Sequence, residues 1–268
     1  SSVLNDCIKK GKDVVEGGAR YSVCSGVTFG GAIDSANSLA AIKKLVYEDK
    51  KITMKQLREA LASDFNGYEQ IQRLCLDAPK YGNDDPYADS IARQIYDMCY
   101  REHQKFPDYL GRPTMVQAYS VTAHVAMGRL TGALPSSRKA RMFLTDASVS
   151  AMPGTDKNGP TALIRSAAKV IDTIKFGSNH FNMKFHPSTL SGHEGARKFL
   201  QLIKTYMDLG GYHVQFNCVS SDTLRDAQRH PEKYRNLIVR VAGFSAYFVQ
   251  LDPMVQEELI KRSELKFN

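Results

Sequence analysis

The stretch Ile238-Val239-Arg240-Val241-Ala242-Gly243-Phe244-Ser245-Ala246-Tyr247-Phe248 places two β-rich arms on either side of a single glycine. It reads as a hairpin, although the Asn-Gly or Asp-Gly pair that usually closes a tight turn is missing. A glycine between apolar arms ordinarily marks a bend or bulge where a side chain would meet a neighbour. Among such arms Tyr247 reads as core, and Arg240 reads as a salt-bridging support for the loop.

Working outward, Leu237–Ala242, Tyr212–Val219, Phe181–Phe185 and Gln117–Val125 are short, rich in β-formers and bounded by turn signals, so each predicts a strand. Helical patterns alternate with them. Ser35–Glu48 carries Leu39, Ile42, Leu45 and Val46 on one face. Thr53 with Gln56 predicts a capping box, as does Ser191 with Glu194, whose helix runs to Gly210-Gly211. Asp85-Pro86 and Asp252-Pro253 are N-cap and first-turn pairs. Behind the first, Ile91, Ile95, Met98 and Cys99 form the expected buried face, and Gly159-Pro160 opens a helix toward Ile171. Strands interleaved with helices of a dozen residues imply βα units and an α/β fold.

The composition of the 268 residues, 43% hydrophobic and 24% charged, is that of a globular chain and argues against disorder and coiled coil. No apolar run reaches the roughly 20 residues of a membrane span. The first residues carry no basic stretch followed by an apolar one, so no signal peptide is readable, and the start without Met is that of a processed or cut end. One domain over residues 1–268 is expected. The net charge of +8 is spread along helices and not gathered in a stripe, which favours an acidic protein partner over nucleic acid. Five scattered cysteines (Cys7, Cys24, Cys75, Cys99, Cys218) form no C-x-x-C pair; they imply buried thiols in a reducing, cytoplasmic setting.

Arg240-Val241-Ala242-Gly243-Phe244-Ser245-Ala246-Tyr247-Phe248 resembles the C-terminal signature of the glycyl radical enzymes, and Gly243 stands 25 residues before Asn268, where that signature lies. The resemblance extends over the whole chain. Gly154-Thr155-Asp156-Lys157-Asn158-Gly159-Pro160-Thr161-Ala162, His213-Val214-Gln215-Phe216-Asn217, Thr223–Gln228, His230–Tyr234, Gly18–Tyr21 and Asp34–Lys44 are similar to blocks of the diol dehydratase, choline lyase and arylacetate decarboxylase branch.

The resemblance implies the C-terminal half of a ten-stranded α/β barrel, with a radical loop at about 238–250 thrust into its centre and a radical stored on Gly243. Glycine alone lets a backbone radical flatten without a side-chain clash. The apolar Val241, Phe244 and Phe248, with Arg240 and Ser245, would support and shield the loop. It also implies a separate radical S-adenosylmethionine activase, since this chain carries no iron–sulfur motif and binds no cofactor of its own. A cysteine-bearing half barrel, on a partner chain or on the rest of one polypeptide, and a small-molecule substrate complete the expected assembly. The implied chemistry is C–O or C–N elimination; arylacetate decarboxylation, or a spare-part domain repairing an oxygen-damaged enzyme, is the alternative.

No cysteine here stands in the family's catalytic context, so Cys218 reads as a buried replacement for valine. His180, His186 and His193 match no metal-binding spacing, and no metal is expected. His186 follows a strand and could border a pocket. On the strand around Phe216, His213, Gln215 and Asn217 share one face, read first as structural hydrogen bonding and second, with Cys218, as pocket lining.

Overall fold

In the computed structural model, which describes residues 1–21, 26–146 and 149–267, helices and short strands alternate along the chain. The helices are α1 (Cys7–Lys10), α2 (Ala32–Ile42), α3 (Met54–Ala62), α4 (Glu69–Asp77), α5 (Pro86–His103), α6 (Ala123–Leu130), α7 (Gly159–Val170), α8 (Gly192–Asp208), α9 (Ser221–Arg229) and α10 (Pro253–Lys261). The strands are β1 (Gly26–Thr28), β2 (Met115–Ala118), β3 (Phe176–Asn179), β4 (Asn182–Phe185), β5 (Gln215–Cys218), β6 (Ile238–Arg240), β7 (Ser245–Tyr247) and β8 (Glu264–Leu265).

Strands β1, β2 and β3 pair in parallel, and β4 pairs in parallel with β5 on one side and β8 on the other. Only His180 and Phe181 separate β3 from β4. The His180 amide donates to Ala118 O at 3.1 Å, while Phe181 O accepts from the Gln215 amide at 2.8 Å. One extended run therefore changes partner from β2 to β5 within two residues. Every side chain of β4 is buried, as in parallel sheets covered on both faces. The largest core lies between these strands and α2, α5, α7 and α8, drawing on residues from Ala32 to Leu265. A second core holds Val239, Val241 and Phe248 against α6, α9 and α10.

Several boundaries differ from the sequence reading. The stretch Gln117–Val125 is strand only to Ala118: Val121 takes φ +54 and α6 begins at Ala123. Its alternating polarity is a turn with an exposed Val121 followed by a helix start, which short patterns do not separate from a strand. Ser35–Glu48 is α2 followed by a turn of π-helix over Lys43–Glu48. The buried face of α2 is Ala32, Ile33, Ala36, Ala40 and Ala41; of the expected stripe Leu45 is buried and Ile42 and Val46 pack beside it, whereas Leu39 is exposed. On α5 the buried face is Ala88, Ala92 and Tyr96, with Ile91 and Ile95 at its edge and Met98 exposed. Small residues let α2 and α5 approach closely, so the stripe that matters is alanine. The Thr53–Gln56 capping box forms. The Ser191–Glu194 one does not, because Ser191 Oγ donates to Ser188 O and Glu194 pairs with Arg197.

Leucine in place of Ala92, which is fully buried, is expected to cost about 1–3 kcal/mol by overpacking. Leu39→Ala is expected to change stability by less than about 0.5 kcal/mol. Thermal melting of the two variants checks which stripe packs.

Candidate functional site

The arms of the glycine hairpin pair as Ile238 with Tyr247, Val239 with Ala246 and Arg240 with Ser245. The Val241 amide donating to Phe244 O at 2.9 Å extends the ladder, which leaves Ala242 and Gly243 as a two-residue loop. Of the two only Gly243 has positive φ, +85. That is the pattern of a type II turn, whose third residue favours glycine, and it explains the absent Asn-Gly signal. A second constraint is steric. A Cβ built on Gly243 would lie 2.6 Å from His180 Cε1, so any side chain there would have to displace the ring. Turn geometry alone would admit asparagine; the imidazole beside it adds a second penalty on every residue but glycine.

His180 is held in a stack, its ring centroid 5.1 Å from that of Tyr119 on one side and 5.1 Å from that of His213 on the other. His213 Nδ1 also accepts from the Phe181 amide at 3.4 Å. Burial lowers the pKa of both histidines, with Arg240 adding to the fall in each and His180 adding to that of His213. The stack is thus built of neutral imidazoles at neutral pH.

On the other side of the loop the contacts are polar. Gln215 Oε1 accepts from Arg240 Nε at 2.6 Å and from the Gly243 amide at 3.2 Å. Gln215 Nε2 donates to Asn182 Oδ1, and Asn182 Nδ2 donates to Asp146 Oδ2. Two residues along β5, Asn217 meets the Arg240 backbone twice: Nδ2 donates to its carbonyl at 2.6 Å and Oδ1 accepts from its amide at 2.8 Å. Asn217 thereby does for β6 what a neighbouring strand would do. Arg240 Nη1 reaches Ser245 Oγ at 3.3 Å.

Beneath the hairpin lies a buried ion pair. Arg262 Nε and Nη2 donate to the two Glu258 carboxylate oxygens at 2.8 and 2.9 Å, and Nη2 also donates to Val241 O at 2.9 Å. Burial alone would raise the Glu258 pKa, but Arg262 and the adjacent His124 hold it at about 2. Lys184, buried on β4, donates to the Ile260 and Leu259 carbonyls at 2.7 and 3.3 Å, closing the C-terminal end of α10. The cavity over this floor is about 20 Å³, room for about one water. No substrate chamber is completed there.

The residues singled out by sequence are brought together unevenly. Val241 and Phe248 are fully buried and Phe244 packs on the same core, so the apolar support forms. Gly243 itself is exposed in this chain, as is Tyr247, which is not core. Arg240 finds amide and hydroxyl oxygens, not the carboxylate expected of it. Gln215 and Asn217 converge on the hairpin, and His213 stands behind it against His180. Cys218 is exposed, contrary to the buried role expected, and alternation turns it to the face opposite Asn217. Cys7 and Cys75 are buried and Cys99 partly so, while Cys24 lies outside the described residues. His186 caps the turn Pro187–Leu190, accepting from the Ser188 amide at 3.3 Å. It stands apart from His180, and His193 is exposed on α8. Among the described residues no three metal-binding groups gather. Sequence reasoning did not single out Tyr119, Asp146, Asn182, Glu258 or Arg262 for the site. Asn182, a polar residue in an otherwise buried strand, was the readable hint.

A two-residue glycine loop pressed against an imidazole is thus docked beside the parallel strands of an α/β fold, and similarity to known proteins gives the class. A "Pyruvate formate lyase-like" family model matches residues 1–128 and a "Glycine radical" model matches residues 145–249. The chain belongs to the glycyl radical enzymes and is a C-terminal piece of their fold. It is 41% identical over 287 residues to an indoleacetate decarboxylase of Tractidigestivibacter scatoligenes, covering 98% of this chain and 33% of that one. It is 48% identical over 237 residues to an isethionate sulfite-lyase of Nitratidesulfovibrio vulgaris, covering 88% and 28%. It superposes on the B12-independent glycerol dehydratase of Clostridium butyricum with a TM-score of 0.93 at 40% identity, covering 100% of this chain and 34% of that one. The chain thus spans about a third of the length of these relatives.

Replacing Glu258 by Gln strands the buried Arg262 and is expected to cost about 3–5 kcal/mol. The folded carboxyl titrates at about 2 against 4.5 for the ordinary group, so its stabilisation is complete above about 4.5. It is lost as pH falls from there toward 2. Acid unfolding of the wild type should therefore steepen below pH 4.5, and Glu258→Gln should lack that component.

Proposed function

We propose that this chain is the radical-storing part of a glycyl radical lyase, a single domain whose Gly243 holds the stored radical. The observation that carries the reading is the double restriction at Gly243: positive φ and a histidine ring where a Cβ would sit. A bend needs only the first. A planar radical centre needs a residue with no side chain, and amide and carbonyl on either side delocalise its unpaired electron.

In the proposed cycle an activase-borne radical removes a hydrogen atom from the Gly243 Cα. Gly243 later takes a hydrogen atom from a cysteine S–H, regenerating glycine and leaving a thiyl that attacks substrate. The activase is proposed to be a separate radical S-adenosylmethionine enzyme. The cysteine is proposed to lie outside this chain, on a partner chain or on further sequence of the same polypeptide. Two facts support that placement. The chain spans about a third of its relatives, and Gly243 is exposed although a stored radical must be kept from water and oxygen. Covering chain is needed, and the open apolar edges of a partial barrel are the surface it would cover.

Lyase chemistry on a small substrate follows from the company the chain keeps: among the relatives are a decarboxylase, a sulfite-lyase and a dehydratase. C–O or C–N elimination is the reaction we propose. A spare-part domain is less apt, because the match extends well beyond the glycine loop, through residues 1–128.

Anaerobic activation of the complete assembly is expected to give a paramagnetic resonance doublet, split by the one α-hydrogen of Gly243, and none in Gly243→Ala. A doublet that persists in that variant places the radical elsewhere. In air the activated protein is expected to break its main chain at Gly243, shortening this chain by the 25 residues from Phe244 to Asn268. The unactivated protein and Gly243→Ala should stay whole, as read by mass spectrometry under denaturing conditions.

A further inference from the structure

We propose that Gln215 is a positioning residue for Gly243, kept in one amide orientation by a relay through Asn182 to Asp146, and is not a substrate contact. This rests on the reading of Gly243 as the radical residue. The relay and the loop it serves join four separate parts of the chain. Asp146 lies in the stretch ahead of α7, Asn182 opens β4, Gln215 opens β5, and the hairpin supplies Arg240 and Gly243.

A primary amide can turn over end for end, exchanging a donor for an acceptor at almost no steric cost. Which end faces Gly243 is therefore decided by neighbours of fixed polarity. At the hairpin both neighbours of Gln215 can only donate: Arg240 Nε, at 2.6 Å, and the Gly243 amide, at 3.2 Å. Gln215 must present its oxygen to them, which leaves its NH2 to find an acceptor, and Asn182 Oδ1 supplies it. Asn182 must then direct its own NH2 away, and it meets the Asp146 carboxylate, which can only accept. The chain of amides has a donor-only group at one end and an acceptor-only group at the other. Turning either amide over would set donor against donor and acceptor against acceptor in a site where Asp146, Asn182 and Gln215 are all buried.

The consequence is local to the radical residue. Gly243 has no side chain, so nothing of its own fixes the plane of its amide. Its conformation depends on the ring of His180 on one side and the oxygen of Gln215 on the other. Delocalisation from the nitrogen onto Cα requires that plane to be held. Gln215 is then spent on the loop, and a substrate would have to break two hydrogen bonds to use it.

Amide hydrogen exchange at Gly243, measured in the intact enzyme before activation, reads the anchor without any radical. Gln215→Met removes the acceptor at similar length. Asp146→Asn, which does not touch Gly243, removes the fixed polarity at the far end. Each is expected to speed exchange by about tenfold, the loss of roughly one partly buried hydrogen bond. Gln215→Glu alone puts acceptor-only groups at both sides of Asn182 and should also speed it. The pair Gln215→Glu with Asp146→Asn moves the acceptor-only end to the hairpin and lets Asn182 turn over, so it is expected to restore slow exchange. After activation, the doublet of Gln215→Met should change in splitting or width and that of the pair should return toward wild type. Wild-type exchange in both Gln215→Met and Asp146→Asn, or a pair no better than its worse single variant, overturns the relay. Relay-dependent exchange together with a doublet that survives Gly243→Ala would keep the anchor and remove the radical from Gly243.

Discussion

The contact between His180 and Gly243 is the constraint on which the rest of the site depends. With the imidazole 2.6 Å from where a Cβ would be, any residue but glycine at the loop tip would have to push the ring aside. The ring can sit there because the chain changes partner strands at that residue. The His180 amide is bound to Ala118 and its carbonyl to the Val149 amide, so the backbone beneath the ring is fixed from both sides. Tyr119 and His213 then fix the ring itself. A change of sheet at one residue and a penalty on side chains at another are two aspects of one arrangement.

The fold class and the hairpin were legible in the sequence because both rest on local pattern. Helix starts at Thr53, Asp85 and Asp252 are written in capping chemistry and appear where it places them. The apolar support of the loop could be read residue by residue, since Val241, Phe244 and Phe248 lie within a few residues of the glycine. What could not be read is whatever needs distant parts of the chain. His180 meets the loop, and Asn182 and Asp146 bear on it through Gln215, from 60 or more residues away, and beyond the polar character of Asn182 itself the sequence gives no sign of it. Periodicity misled where small residues do the packing: alanines on α2 and α5 carry no strong hydrophobic signal, so the exposed Leu39 and Met98 stood in for them. The strand expected through Val125 failed for a related reason. Alternation over nine residues does not record the turn at Val121, which only the backbone angle shows.

The hairpin combines two kinds of attachment. Its base is apolar, with Val239, Val241 and Phe248 in the second core, and this part is insensitive to ionisation. Its tip is held by directional bonds to Gln215, Asn217 and Arg262, each made to backbone or to Arg240. Polar bonds of this kind exchange readily with water when opened, whereas the apolar base does not.

Arg262 and the strand that follows it also bear on what damage would look like. The residues after Gly243 bury Phe248, Val255, Leu259 and Ile260, return Arg262 to the carbonyl of Val241, and end with β8 paired to β4. A break in the chain at the loop tip would sever one covalent link and leave all of these contacts in place. The severed segment would stay seated, as a peptide inserted into its own socket, and the injured protein would keep the size and outline of the intact one in solution.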